Sequence, residues 1–87
     1  MAEVILPTLL AKELGGIRQL DVPGSSVAEL VNAINAKHPG FRDLVCSGEK
    51  LRPIFRVVID GRIAREGLAS PVQPTSRVEI LPAFGGG

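Results

Sequence analysis

One stretch of this chain has the periodicity of a sizeable helix, and both of its ends are signalled. Ser26 and Glu29 stand at the S-x-x-E spacing of a capping box, in which the hydroxyl takes a backbone N–H and the glutamate reaches back. Val27, Leu30, Val31 and Ile34 then recur at i, i+3, i+4 and i+7, one apolar stripe, while Glu29, Asn32, Asn35 and Lys37 lie away from it. Pro39-Gly40 stops the helix, and Lys37 and His38 sit where the negative end of its dipole favours cations. A helix with a single apolar stripe, flanked by short β-like runs, has to lie on a sheet. With 87 residues there is room for one small domain that buries about 60% of its unfolded surface.

The sheet is read from the runs on either side. Val4-Ile5-Leu6 is a short β-branched strand stopped by Pro7, and residues 17–22 form a second, with Leu20 and Val22 on one face and Gln19 and Asp21 on the other. Between them Leu9-Leu10-Ala11-Lys12-Glu13-Leu14 has room for one helical turn before Gly15-Gly16, and a connection of this length implies an antiparallel pair. Residues 41–53 are mixed and turn-rich, with Phe41, Leu44 and Val45 as core plugs. Residues 54–60 make the strongest strand, directing Phe55, Val57 and Ile59 to one face; Gly61 turns the chain, and Arg62-Ile63-Ala64 adds a short edge strand. Residues 67–76 are loop-like around Pro71 and Pro74. Residues 77–81 form the last strand, with Val78 and Ile80 inward and Arg77, Glu79 and Leu81 outward. The order β-β-α-β-(β)-β predicts an α+β roll of β-grasp type: a mixed four- to five-stranded sheet with one main helix, in which a right-handed crossover brings a later strand beside the first. The domain spans residues 1–82, and residues 83–87 form a glycine tail.

Composition then removes whole classes of function. Ten Lys and Arg against nine Asp and Glu leave a net charge of +1, no excess with which to hold a phosphate backbone. Three Phe, with no Trp or Tyr, leave few platforms for stacking bases. The single cysteine, Cys46, excludes an internal disulfide and an all-cysteine metal or iron–sulfur cluster; no metal site is expected. Cys46 sits in a Phe/Leu/Val-rich stretch with no base near it in sequence, which reads as a buried thiol. His38 reads as a helix-end residue, not a catalytic base. Gly15-Gly16 lacks the surrounding pattern of a phosphate loop and reads as a turn. The acid and the proline near the start are unlike a secretory signal, and no run approaches the roughly 20 apolar residues of a membrane span. The expectation is a cytoplasmic protein that binds neither nucleic acid nor membrane.

The last strand runs into Ile80-Leu81-Pro82-Ala83-Phe84-Gly85-Gly86-Gly87. Glycines at a chain end are ordinarily slack. Here, however, they follow directly on a strand of a β-grasp-sized chain. Together with Leu6-Pro7-Thr8, Gly15-Gly16, the capped helix ending His38-Pro39-Gly40 and the strand and turn of residues 55–61, this closing segment carries a resemblance that covers the whole chain. The sequence resembles the MoaD/ThiS superfamily of ubiquitin-like sulfur carriers, and within it the CysO type. It departs from that pattern before the last strand, where Pro74-Thr75-Ser76 replaces an acidic, glycine-containing turn, and in carrying three terminal glycines instead of two. Counting from Pro82 makes Gly86-Gly87 the functional pair, with Gly85 at a small-residue position; a Gly85-Gly86 pair would require Gly87 to be trimmed.

The resemblance implies a carrier, not an enzyme. The carboxylate of Gly87 would be adenylated with ATP by a ubiquitin-activating-type adenylyltransferase and converted to a thiocarboxylate that donates sulfur. No cofactor is bound by the carrier itself. The implied acceptor is a biosynthetic enzyme, with a pyridoxal-phosphate cysteine synthase favoured, and a JAMM-type metalloprotease is a further implied partner. Three other outcomes stay open: the small subunit of molybdopterin synthase, a modifier joined to lysines, and an interaction domain whose tail has no function. Ordering a tail on docking costs about 1–2 kcal/mol per residue, so a docking surface is expected to offset it. Leu81 and Phe84, with Arg56 and Val58, on the outward side of the strand leading into the tail, are the candidates.

Overall fold

The computed structural model describes residues 1–83. Two strands open it: β1 (Ala2–Ile5) and β2 (Gln19–Val22) pair antiparallel, with Ala2 opposite Val22 and Val4 opposite Leu20. The pairing continues past the strand ends, since Leu6 N–H donates to Arg18 C=O at 2.8 Å. The link between them holds a short helix, α1 (Thr8–Glu13), and turns through Gly15 and Gly16, where Gly16 N–H returns to Ala11 C=O at 2.8 Å. The main helix, α2 (Val27–Lys37), buries the predicted stripe of Val27, Leu30, Val31 and Ile34. Full burial of each such side chain is worth about 1.5–3 kcal/mol.

The capping box forms with one change. Ser26 Oγ accepts from Glu29 N–H at 3.2 Å, but the Glu29 carboxylate reaches Ser25, one residue further back, taking its N–H at 2.7 Å and its hydroxyl at 3.0 Å. Ser25 gives both its backbone N–H and its hydroxyl to the same carboxylate oxygen. The backbone approaches the helix closely here: a Cβ on Gly24 would lie 3.0 Å from Leu30 Cδ2 and 3.1 Å from Leu30 N, at φ +152°. Glycine is required at this entry on both counts.

Residues 41–53 are more regular than the sequence suggests. They form α3 (Phe41–Val45) and a small hairpin of β3 (Cys46–Ser47) with β4 (Lys50–Leu51). Phe41 and Val45 are buried plugs, and Leu44 packs against the core from a half-buried position. The strongest strand is β5 (Phe55–Ile59), followed by β6 (Arg62–Ile63). Their hairpin pairs Ile59 with Arg62 across Asp60-Gly61, both at positive φ (49° and 84°). Asp-Gly is the sequence such a two-residue turn favours. A 3-10 turn (Gly67–Ala69) interrupts the long loop, and Pro74 sits in a turn closed by Ser76 N–H to Gln73 C=O at 3.0 Å. Proline thus supplies the turn that precedes the final strand, β7 (Arg77–Pro82).

The sheet order is β2-β1-β7-β5-β6. β7 lies parallel to β1 and antiparallel to β5, so first and last strands are central neighbours. One face of this mixed sheet carries Val4, Val22, Phe55, Val57, Val78 and Ile80 against α2; the other is left open by the described residues. This is the β-grasp roll.

Candidate functional site

The parallel pairing of β1 and β7 sends both strands out at the same pole of the sheet. At that pole β7 outruns β1: the β1 register ends with Ile5 opposite Glu79, whereas β5 continues opposite β7 to Leu81–Arg56 and Pro82–Phe55. Ala83 N–H then donates to Ile54 C=O at 2.7 Å. Since alternate residues of a strand direct their backbone groups to opposite sides, the Pro82 nitrogen faces the side that β1 has already left. Its missing N–H breaks no ladder bond there. Ala83 is the last described residue; Phe84, Gly85, Gly86 and Gly87 lie outside the described residues.

Three of the four proposed docking residues come together on the open sheet face. Arg56 and Leu81 are direct register partners, and Val58 stands two residues along β5, opposite Glu79. Leu81 is 39% exposed, Arg56 is exposed and Val58 is half-buried. The fourth, Phe84, cannot be placed with them. Two further apolar residues complete the surface: Ile63 pairs with Val58 from β6, and Ile5 pairs with Glu79 from β1. Ile63 is 57% exposed. An apolar strip of Ile5, Val58, Ile63 and Leu81 therefore runs across four strands, broken by Glu79 and flanked by Arg56. Towards the opposite pole the face becomes polar, where Arg77 Nε and Glu3 Oε1 stand 3.7 Å apart across the β7–β1 pair. Ile63 was readable in advance: a two-residue Asp-Gly turn forces Val58 opposite Ile63. Ile5 was not, because its neighbour is a strand some 70 residues away in the chain.

A second apolar feature borders the point where β7 ends. Leu9 and Leu10 of α1, Leu44 of α3, and Ile54 and Phe55 line a groove of about 480 Å³ rimmed by Glu13, Asp43 and Arg52. Arg52 is held in place by two hydrogen bonds to Asp43 C=O, at 3.0 and 2.9 Å.

The reactive side chains are placed for structure. Cys46 is 4% exposed, and burial pushes its thiol pKa up, against the opposing pull of Arg42 and Arg52. A raised pKa is the reverse of what a nucleophilic thiolate needs. His38 is the residue that ends α2, its N–H returning to Ile34 C=O at 2.8 Å. Asp60 accepts from Arg77 N–H at 2.9 Å; that bond, with Ser76 second, holds its carboxyl below the ordinary range. Among the described residues no three His, Cys, Asp or Glu side chains are grouped to hold a metal, and no helix is long and apolar enough to cross a membrane.

Comparison with known proteins gives these features a context. Residues 5–87 match the sequence profile of the ThiS family. No curated protein sequence matches the chain. Among solved structures, CysO in the Amycolatopsis orientalis BexX/CysO complex is 28% identical, with a TM-score of 0.90 over 100% of both chains. Mycobacterium tuberculosis CysO is 24% identical, with a TM-score of 0.88 over 97% of this chain and 100% of that one. The small archaeal modifier protein 1 of Methanosarcina acetivorans is 23% identical, with a TM-score of 0.80 over 99% of this chain and 95% of that one. The last two likenesses concern the fold. The profile match covers nearly the whole sequence, and the chain belongs to the ThiS family, whose small carrier proteins are not enzymes themselves.

Proposed function

We propose that the chain carries sulfur as a thiocarboxylate on the carboxyl carbon of Gly87. The observation that carries this reading is the end of β7: a central strand that outruns its parallel neighbour and is pinned by its last described backbone bond, Ala83 to Ile54. Four residues follow. Fully extended they reach about 13–14 Å from that anchor, enough to bring a terminus into a recessed site while the domain stays outside.

The chemistry follows from the group. A carboxylate is ionised at neutral pH and a poor electrophile. An adenylyltransferase of the ubiquitin-activating type joins it to the α-phosphate of ATP, releasing pyrophosphate. Hydrosulfide then attacks the acyl carbon, the bond to AMP breaks, and –COS⁻ remains as AMP and a proton are released. The carrier contributes no acid or base; it is a substrate presented on a fold. Gly85 and Gly86 keep the approach thin and free to take backbone angles closed to other residues. The strip around Leu81, Arg56 and Val58 supplies the contact that offsets ordering the tail.

A biosynthetic acceptor enzyme fits the likeness to CysO, whose structure was solved in complex with BexX; a cysteine-type synthase is the favoured destination. The likeness to a small archaeal modifier supports a second reading, in which the same acyl-adenylate is passed to lysine amines. Both begin with adenylation, so deletion of Gly86-Gly87 tests them together. The truncated chain is expected to keep its circular dichroism spectrum and to lose pyrophosphate exchange with the activating enzyme. Exchange at the full-length rate would contradict the assignment of the tail.

A further inference from the structure

The edge of the sheet furthest from β6 is open, and its backbone is unpaired in a definable pattern. Among the described residues, β2 has β1 as its only neighbour in the five-stranded sheet. Glu3 N–H donates to Ser76 C=O on the β7 side of β1, and Leu6 N–H donates to Arg18 C=O on the β2 side. Alternation then assigns the backbone groups of Ala2 and Val4 to β2, with Val22 and Leu20 as their partners. The N–H and C=O groups of Gln19 and Asp21 therefore point away from the sheet. Between this edge and α2 runs a groove of about 370 Å³, lined by Leu20 and Val22 from the strand and by Ala33, Ile34 and Ala36 from the helix. Lys37 and His38 close its wall at the end of α2. Asp21 borders it through the backbone, because alternation sends its side chain to the opposite face, beside Glu3.

We propose that this edge is a docking site for an extended peptide of a partner protein, with apolar residues at alternate positions and an acidic residue flanking them. An exposed strand edge satisfies its backbone by accepting another strand, which supplies affinity through main-chain bonds and specificity through alternate side chains. Gln19 and Asp21 present four such groups. The added strand would place every second side chain in the groove against Leu20, Val22 and Ile34. The Lys37 ammonium, which lines the groove and forms no ion pair among the described residues, provides the charge to which an acidic flank is complementary. In the sheet, β1 separates this edge from β7, so a partner held here leaves the tail and the open-face strip free for an enzyme.

The test uses the full chain, labelled with ¹⁵N, and the blocked peptide acetyl-Asp-Val-Ile-Val-Val-Asp-amide. Titration is expected to shift amides of residues 19–22 and 33–38 and to slow hydrogen exchange at Gln19 and Asp21. A peptide with proline at its two central positions, which lacks the needed N–H groups, is expected to leave them unchanged. Lys37→Glu is expected to weaken binding about two- to fivefold, the worth of one exposed ion pair. No shifts at millimolar peptide, shifts confined to the open sheet face, or equal binding of the proline peptide would overturn the proposal. So would the same shifts appearing on simple concentration of the chain, which would make a second copy the occupant.

Discussion

Asp60 shows how one side chain joins two elements. It sits at positive φ in the β5–β6 turn, where Asp and Asn are the side chains best tolerated, and its carboxylate reaches the first residue of β7. Its own N–H donates to Arg77 C=O at 2.9 Å, so turn and strand are tied in both directions. The folded state favours the charged carboxylate more than the unfolded chain does, because the Arg77 N–H, then Ser76, lower its pKa. That contribution is complete above the ordinary carboxylate range and is lost as pH falls through the lowered folded value. Asp60→Asn keeps an acceptor oxygen but has no charge to lose. The stability gap between the native chain and this variant is therefore expected to shrink as pH falls from about 6 to about 3 in urea titrations. A gap that widens on acidification would contradict the role assigned to Asp60.

At the scale of elements, what could be read in the sequence was what a short window contains. The stripe of α2, its serine cap and the alternation of Phe55, Val57 and Ile59 are local patterns, and each appears in the fold where its spacing places it. Helix α3 and the β3–β4 hairpin were read only as turn-rich chain. A five-residue helix is too short to be stable by itself, and strands of two residues carry no period; both form because Phe41, Val45 and Cys46 fill the core. The open-face strip was half legible for the same reason. Leu81 and Val58 announce themselves as outward strand residues, but their junction with Ile5 depends on the β1–β7 register. If the strip docks the activating enzyme, Leu81→Asp is expected to raise the KM for the carrier about tenfold, with kcat nearly unchanged and the fold intact. One buried apolar contact of an interface is worth about that much. An unchanged KM would move the docking surface elsewhere.

Across the whole molecule, the architecture divides the work between a rigid sheet and the chain beyond it. Strand β7 has hydrogen-bonded neighbours on both sides as far as Glu79, and β5 alone carries it on to Pro82, where the chain leaves the sheet. The thiol and imidazole of the chain are placed for packing and helix termination, which supports the proposal that its chemistry is carried by the carboxyl end. The glycines themselves carry little signal; it is their position directly after Ile80-Leu81-Pro82-Ala83 that suggests the proposed carrier function. The acceptor is not legible there, since a carrier of one tail chemistry can serve several enzymes. The central claim concerns one atom exchanged at Gly87. It is tested most directly by the intact mass of the purified chain after incubation with an activating enzyme, ATP and a sulfur donor. A gain equal to one sulfur in place of one oxygen, localised to the C-terminal peptide, is the predicted result; an unchanged mass under conditions that consume ATP would contradict it.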